Sequence, residues 1–302
     1  MAMRASPPLL ALLALFCCAT AAAALDQNQS WLLFEQGNAA ASQKEYGQAL
    51  QLYEAAIEGA GQFPEAEAAV GDIYLEEGET GLAQRQYEKA YNLRQSFYVP
   101  EMQYQVLYKL ADLYEIQQQY KQMEDTLTLI AGDDVHFQES ATQHVRTQVE
   151  KVFVEKGLDR VLLLYTFDDT FSAAAHSKLG WFYYRTGRFG PAVTQLLFAV
   201  IYRTSQIKHA MLEHDVDYEF TTMADLLAGV DANADLRAYA VSSGLYKDLY
   251  YLAGAAFANG FPGIATGLWK SLSAVRSAGQ YRDLAVKQLK RPFVEPLLTI
   301  TK

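Results

Sequence analysis

The amino-acid sequence predicts an all-α protein built as a solenoid of helix–turn–helix repeats. Residue types recur at a spacing of 34 residues, and this period is typical of a repeated pair of antiparallel helices. The recurring positions are Gly37 and Gly71, Ala49 and Ala83, Tyr53 and Tyr87, and Ala56 and Ala90. Hydrophobic residues make up 51% of the chain, and no Ser-, Gly- or Pro-rich tract interrupts it. We therefore expect most of the chain to be folded.

Residues 1–24 are predicted to be an export signal. Arg4 supplies a positive start, Leu9 to Phe16 form a short apolar run, and Ala19 to Ala24 are small residues suited to cleavage. The apolar run is shorter than the ~20 residues that a membrane-spanning helix requires. An uncleaved N-terminal anchor is the alternative.

The two cysteines of the chain are Cys17 and Cys18, both within the predicted signal. A lipoprotein signal places a small residue before the modified cysteine, and Phe16 fits this position poorly. Lipid attachment is therefore the less favoured alternative, and membrane contact is expected only if a lipid anchors the chain at Cys17 or Cys18. The mature chain is expected to have no disulfide framework and no cysteine metal site.

The first two repeat units are predicted at residues 30–63 and 64–97. In each unit the first helix carries a glycine where the second helix approaches closely, and the second helix carries alanines and a tyrosine that fill the space between them. The segment KEYGQALQLYEAAI, residues 44–57, resembles a second helix of the tetratricopeptide repeat family. The resemblance implies helical hairpins stacked into a right-handed superhelix of about five to six partly degenerate repeats.

The later units are less regular. The third, residues 103–136, follows a connection lengthened around Pro100, which blocks helix continuation. The fourth, residues 140–170, is degenerate, with helices expected at 140–153 and from 161. The fifth, residues 173–206, contains LGWFYYRTGRFGPAV and is again similar to the family, and a sixth is expected at residues 246–279.

The remaining segments do not follow the repeat. An irregular helical insert is predicted at residues 207–245, with one or two helices from Met223 to Gly244. A C-terminal capping helix is expected at residues 280–290, since terminal repeats often carry an additional helix that covers the open end of the stack. Residues 291–302 are expected to form a short mixed tail.

The family resemblance implies a concave face that is lined by the first helices and binds a protein or peptide partner. The candidate partner-binding residues are Trp31, Phe34, Asn38, Asp72, Tyr108, Asp112, Trp181 and Tyr184. Asp72 and Asp112 among aromatic residues favour apolar and basic contacts over an anionic partner. Some family members hold a C-terminal carboxylate with a clamp of lysines, arginines and asparagines, and here only Asn38 resembles that set. The alternative is that these acids are solvated and these aromatics are packing residues.

Several function classes are disfavoured. The formal net charge is −10, which opposes nucleic-acid binding. His209 and His214 lack the spacing of a helical metal pair, and the segment beginning at Asp231 has Leu236 where a calcium loop needs glycine. No nucleophile-elbow, zinc-protease or phosphate-binding motif is present in the sequence. We therefore expect neither an enzyme nor a metal or cofactor site.

The sequence thus predicts a non-enzymatic protein–protein interaction adaptor or scaffold of the bacterial cell envelope, exported to the periplasm. The alternative function is a periplasmic component associated with a solute-binding transport system. In that role the protein would bind a small apolar ligand or the receptor for that ligand. Whether the stacked repeats enclose a cavity or leave an open groove would distinguish these two functions.

Overall fold

A computed structural model describes residues 27–140, 144–168, 171–295 and 297–298. Within these ranges the regular structure consists of fifteen α-helices and one short 3₁₀-helix, with no β-strand, and helices that follow one another in sequence commonly pack together. The predicted all-α fold of paired helices is therefore confirmed. The predicted signal at residues 1–24, with Cys17 and Cys18, lies outside the described residues.

The chain divides into two compact units, one ending at Val106 and the other beginning at Leu107. The helices of the N-terminal unit are α1 (Gln27–Ser42), α2 (Tyr46–Ala60), α3 (Pro64–Glu76) and α4 (Thr80–Asn92), followed by a 3₁₀-helix at Arg94–Ser96. Helix α1 packs on α2, and α3 packs on both α2 and α4. Pro64 begins α3 at a position where its missing N–H has no intrahelical partner to lose.

The glycines of the first two repeats allow the paired helices to touch. A Cβ atom on Gly37 would lie 2.5 Å from Cε1 of Tyr53, and one on Gly71 would lie 2.6 Å from Cε1 of Tyr87. Both tyrosine rings are buried. The predicted roles of the small residue and of the aromatic residue in this repeat are therefore confirmed.

The C-terminal unit contains the remaining helices. They are α5 (Met102–Ile116, which begins before the unit boundary), α6 (Tyr120–Gly132), α7 (Val145–Lys156), α8 (Leu158–Leu164), α9 (Ala173–Arg185), α10 (Phe189–His214), α11 (Met223–Ala232), α12 (Ala234–Ser242), α13 (Leu245–Ala258), α14 (Pro262–Ser273) and α15 (Gln280–Lys290). Helix α10 packs against α9 and α13, and α13, α14 and α15 pack in succession. Helix α15 has the bounds that the sequence predicts for the capping helix.

Helix α10 is longer than the sequence predicts. The predicted unit ends at residue 206, but α10 continues to His214, so the insert expected at residues 207–245 begins inside a helix. The continuation is stabilised because Ile207 and Met211 are buried. The insert then forms two helices, α11 and α12, within the range from Met223 to Gly244.

The fourth predicted unit also differs from its prediction. Its first helix begins at Val145 and not at Ser140, and the second, α8, has only 7 residues. Glu139 accounts for the later start, because its carboxylate accepts hydrogen bonds from the backbone N–H and the hydroxyl of Thr147, both at 2.8 Å. An acceptor at this position satisfies a free N–H of the first helical turn. No helix in the described part of the chain is long and apolar enough to cross a membrane.

Candidate functional site

Asn38 and Asp72 occupy the same repeat position and make the same kind of contact. The hydroxyl of Tyr53 donates a 2.8 Å hydrogen bond to Oδ1 of Asn38, and the hydroxyl of Tyr87 donates a 2.6 Å bond to Oδ1 of Asp72. Burial is the main reason that the pKa of Tyr53 is raised to about 12, and nearby acids add to it. Each of these two predicted groove residues therefore binds the hydroxyl of the tyrosine that packs between the helices of its own repeat.

Asn38 and Asp72 also face a common cleft of about 370 Å³, which we call the N-terminal cleft. Its lining residues are Asn38, Ala41, Ser42, Lys44, Tyr46, Tyr53, Ala69, Asp72, Ile73 and Glu76. Most of them lie on α1 and α3, the first helices of the two repeats. The structure therefore brings these two predicted residues together, and their role in partner binding stays a prediction.

Trp31 and Phe34 lie elsewhere, in an aromatic cluster of the N-terminal unit. The ring of Trp31 lies 4.7 Å from that of Phe63 and 5.5 Å from that of Phe34, and Phe34 also contacts the ring of Tyr53 at 5.7 Å. Both side chains are half-buried against the core. Their contacts are those of packing residues, which was the alternative interpretation of the sequence.

In the C-terminal unit, Tyr108 fixes the start of α9. Its hydroxyl donates a 2.5 Å hydrogen bond to the carbonyl of Phe171 and accepts a 2.9 Å bond from the backbone N–H of Ala175. The second bond satisfies an N–H of the first turn of α9, which has no partner within the helix. Tyr108 thus has a structural role that the sequence did not indicate.

Asp112 and Trp181 belong to one surface, which we call the Trp181 surface. It is formed by Asp112 and Glu115 of α5, Lys178, Trp181 and Arg185 of α9, and Lys247 of α13. Lys178 forms an ion pair with Asp112. The ammonium of Lys247 lies 4.4 Å from the Trp181 ring centroid, and the guanidinium of Arg185 lies 5.6 Å from it, both within the range of cation–π attraction.

The charge of this surface differs from the prediction. Asp112 is expected to favour a basic partner, but the ammonium of Lys178 already neutralises it. Burial lowers the pKa of Lys247, while the nearby acids Asp248 and Glu115 oppose that effect. Three cations and two acids make up the charged residues of the Trp181 surface, so these side chains together carry a net positive charge.

The prediction that Tyr184 lines an exposed groove is wrong. Its side chain is 1% exposed, and its ring packs against Phe189 at 5.7 Å and Tyr251 at 5.2 Å. The backbone N–H of Glu295 donates a 3.1 Å hydrogen bond to its hydroxyl. Tyr184 is therefore covered by the C-terminal segment of the same chain, for which the sequence predicted only an irregular tail.

A buried polar cluster centred on Asp134 is absent from the sequence-based predictions. The carboxylate of Asp134 accepts hydrogen bonds from Ser172 at 2.7 Å and from Tyr202 at 2.6 Å, and it lies 3.1 Å from Nε2 of His176. The other ring nitrogen of His176 lies 2.6 Å from Oε1 of Gln195. Burial raises the pKa of Asp134, but the hydrogen bonds from His176, Tyr202 and Ser172 outweigh it and hold the pKa well below its ordinary value.

This Asp134 cluster has the residue types of a hydrolase site without its geometry. The hydroxyl of Ser172 donates to Asp134, a carboxylate whose lowered pKa makes it a weak base for activating a nucleophile. Asp134, Ser172 and His176 are each at most 1% exposed, which leaves a substrate no access to them. The cluster instead ties the segment after α6 to α9 and α10. Across the described residues, no group of three or more His, Cys, Asp or Glu side chains could hold a metal ion.

Comparisons with known proteins assign no family. No family model matches the chain. An uncharacterized protein of Treponema pallidum (strain Nichols) is 21% identical over 229 residues, which are 75% of this chain and 61% of that protein. The crystal structure of yeast Tom70 aligns with 86% of this chain and 55% of its own, at 14% identity and a TM-score of 0.32. The chain thus spans between a half and two thirds of the length of each, and neither likeness carries a functional argument.

Proposed function

We propose that this chain is an exported, non-enzymatic adaptor of the bacterial cell envelope that binds a partner protein through the Trp181 surface. The observation that carries the proposal is the half-buried indole of Trp181, whose ring is contacted by two cationic side chains, Arg185 on α9 and Lys247 on α13. Tryptophan and arginine are the residues that most often dominate the affinity of protein interfaces. Helical hairpins of this kind supply a preformed surface, which lowers the entropy cost of binding.

The partner chemistry follows from the charges around the indole. Lys178 is paired with Asp112, whereas Lys247 and Arg185 both lie over the Trp181 ring. A partner segment with an apolar side chain and a neighbouring carboxylate would contact the indole and a cation at once. Such a segment is common in proteins, so the surface defines a class of partner and not a single one.

The cellular location is part of the proposal and is supported by the sequence of residues 1–24. The positive start, the short apolar run and the small residues before Leu25 have the order of an export signal. Cell fractionation would test export, and the intact mass of the purified protein would test both cleavage and lipid attachment at Cys17 or Cys18. A full-length mass with the protein in the cytosol would contradict this part of the proposal.

The alternative, a transport-associated protein that binds a small apolar ligand, is supported by an apolar recess of the C-terminal unit. A recess of about 230 Å³ is lined by Met211, Asp215, Tyr218, Asp225, Gly229, Asn233 and Leu236. Its apolar residues suit such a ligand, but its volume is below the roughly 300–1,000 Å³ of ordinary ligand sites. We therefore place this function second.

Partner capture with matched variants tests the main proposal. The mature chain and its Trp181→Ala variant would be used to capture proteins from an envelope extract, which are then identified by mass spectrometry. We expect Trp181→Ala to lose the captured partner while keeping its helical circular dichroism, since this side chain is half-buried. Gly180→Leu is the contrasting variant, because a Cβ there would lie 2.5 Å from Cγ of Leu196 and the fold itself should fail. Equal capture by the folded Trp181→Ala variant would contradict the proposed site.

A further inference from the structure

The C-terminal segment, of which residues 293–295 and 297–298 are described, is held on the protein by side chains of three helices. The carboxylate of Glu295 accepts hydrogen bonds from the hydroxyls of Tyr250 at 2.8 Å and Tyr251 at 3.3 Å, both on α13. The backbone N–H of the same residue donates to the hydroxyl of Tyr184 on α9 at 3.1 Å. Three tyrosines from two helices therefore converge on a single glutamate.

The backbone of the segment is held as well. The side-chain amide of Gln288 on α15 accepts a 2.9 Å bond from the N–H of Phe293 and donates a 3.0 Å bond to its carbonyl. Further along, the N–H of Leu298 donates a 2.6 Å bond to the carbonyl of Arg185. Main-chain hydrogen bonds of this kind recognise an extended peptide without regard to most of its side chains.

The groups that hold the segment are themselves fixed by the core. With the segment in place Tyr184, Tyr250 and Gln288 are each 1% exposed, and within the site Gln288 donates a 3.2 Å hydrogen bond to the hydroxyl of Tyr250. The ring of Tyr250 also packs against Tyr281 at 5.8 Å. A site whose donors are held in place before the ligand arrives binds with a smaller loss of conformational entropy.

The apolar side chains of the segment are half-buried. Phe293, Val294 and Leu297 keep 42%, 38% and 49% of their surface exposed. Apolar burial and the polar contacts at Glu295 and Phe293 therefore both contribute to its attachment. An attachment of this type is exchangeable, because a second peptide can offer the same carboxylate and the same backbone groups.

We propose that Tyr184, Tyr250, Tyr251 and Gln288 form a binding site for an extended acidic peptide, and that the chain's own C-terminal segment, bound through Phe293 and Glu295, is its resident ligand. The partner segment is one that places a glutamate or aspartate where Glu295 lies and presents its backbone to Gln288. This inference rests on the proposed protein-binding function and names a second contact chemistry for it. In this arrangement a partner must displace the C-terminal segment in order to bind.

The experiment uses the full chain and a defined probe. The probe is a fluorescein-labelled peptide with the sequence of residues 291–298, RPFVEPLL. In the wild-type chain the attached segment competes at a high effective concentration, so the probe should bind weakly. In the Glu295→Lys chain the segment loses its carboxylate contacts, and we expect the probe to bind at least about tenfold more tightly by fluorescence anisotropy.

Matched controls make the result specific. Glu155→Lys makes the same charge change at an exposed position on α7 and should leave probe binding at the wild-type level. A probe with lysine in place of its glutamate should bind the Glu295→Lys chain about tenfold more weakly than the original probe, because it cannot accept the two tyrosine hydrogen bonds. Adding Tyr250→Phe and Tyr251→Phe to the Glu295→Lys chain should remove the gain.

Two results would overturn the inference: a Glu295→Lys chain with native circular dichroism that fails to bind the original probe, or equal binding of both probes. Both results are obtained with Trp181 intact, so they are read separately from the capture experiment. If Trp181→Ala still abolishes partner capture, the proposed function stands while this second site is rejected. If the probe binds as expected and Trp181→Ala has no effect, the peptide site stands alone.

Discussion

The hydroxyl of Tyr87 lies 2.6 Å from the carboxylate of Asp72, the residue that directly follows Gly71. One repeat earlier, Tyr53 is bonded in the same way to Asn38, the residue that follows Gly37. The glycine lets the ring lie against the helix, and the next residue binds the hydroxyl at the end of that ring. Burial, followed by the hydrogen bond to Asp72, raises the pKa of Tyr87.

The close contact at Gly71 predicts a large effect from a small substitution. Gly71→Ala places a Cβ 2.6 Å from the Tyr87 ring, so the ring or the helix must move. We expect a loss of about 1–3 kcal/mol in the free energy of unfolding, measured by urea titration with circular dichroism. Gly81→Ala in the same helix pair is the control, since a Cβ there meets no atom within 4 Å. An equal loss in both variants would show that helix approach is not the cause.

The bond between Tyr87 and Asp72 predicts energetic coupling between these residues. In a double-mutant cycle with Tyr87→Phe and Asp72→Ala, we expect a coupling free energy of about 0.5–1.5 kcal/mol. The same cycle on Tyr53 and Asn38 should give a smaller value, because a neutral amide is a weaker acceptor than a carboxylate. Urea unfolding of the four proteins in each cycle provides the measurement. Additive single effects at Tyr87 and Asp72 would show that the bond contributes nothing.

In the first two repeats the residue after the glycine binds the tyrosine hydroxyl, but in repeats without this tyrosine the residue at that position makes a different contact. In the third and fifth predicted units the tyrosine position is occupied by Leu127 and Leu196, which have no hydroxyl. The corresponding residues, Asp112 and Trp181, are then engaged by the lysines Lys178 and Lys247 of the Trp181 surface. The sequence predicts a groove position for Asn38, Asp72, Asp112 and Trp181 alike, because each directly follows the small residue of its repeat.

The parts of the fold that the sequence predicted are those set by local periodicity. Gly71 and Tyr87 lie 16 positions apart in one hairpin, and a pattern repeated every 34 residues shows such a contact directly. Tyr184 was misplaced because Glu295, the residue that covers it, is 111 positions away and outside any repeat. The Asp134 cluster was missed for the same reason, since its contacts to Ser172 and Tyr202 span 38 and 68 positions and occur once.

The Asp134 cluster predicts acid sensitivity of the folded state. Its hydrogen bonds hold the pKa of Asp134 in the folded protein below the value of about 3.9 expected in the unfolded chain. The folded state therefore binds fewer protons, so this stabilisation is complete above the unfolded pKa and is lost as the pH falls below it. We expect the stability of the wild type to fall more steeply than that of Asp134→Asn between about pH 5 and pH 3.

Urea unfolding at a series of pH values measures this difference. Asp217→Asn, at an exposed position after α10, is the control and should keep the wild-type slope. If Asp134→Asn also keeps the wild-type slope, the carboxylate of Asp134 does not stabilise the folded state through its ionised form.

The buried ion pair of Arg203 and Asp248 predicts that removing one partner lowers the free energy of unfolding far more than replacing both partners with apolar residues. Arg203 of α10 is paired with Asp248 of α13, and the hydroxyl of Ser177 donates a 2.6 Å bond to the same carboxylate. Burial raises the pKa of Asp248, while Arg203, Ser177 and Lys247 act to lower it. Asp248→Ala leaves the Arg203 guanidinium buried without its counter-ion, and we expect a loss of about 3–5 kcal/mol.

The paired replacement separates charge from packing. Arg203→Met combined with Asp248→Leu removes both charges and fills the site with apolar side chains, so it should be much more stable than Asp248→Ala alone. The exposed pair of Asp112 with Lys178 is the matched contrast, and Asp112→Ala should cost no more than about 1 kcal/mol because water screens that pair. Urea unfolding of the three variants measures the order. If Asp248→Ala lowers the free energy of unfolding no more than Asp112→Ala does, burial does not increase the cost of breaking the Arg203–Asp248 pair. The contact between α10 and α13 would then be stabilised by apolar packing alone.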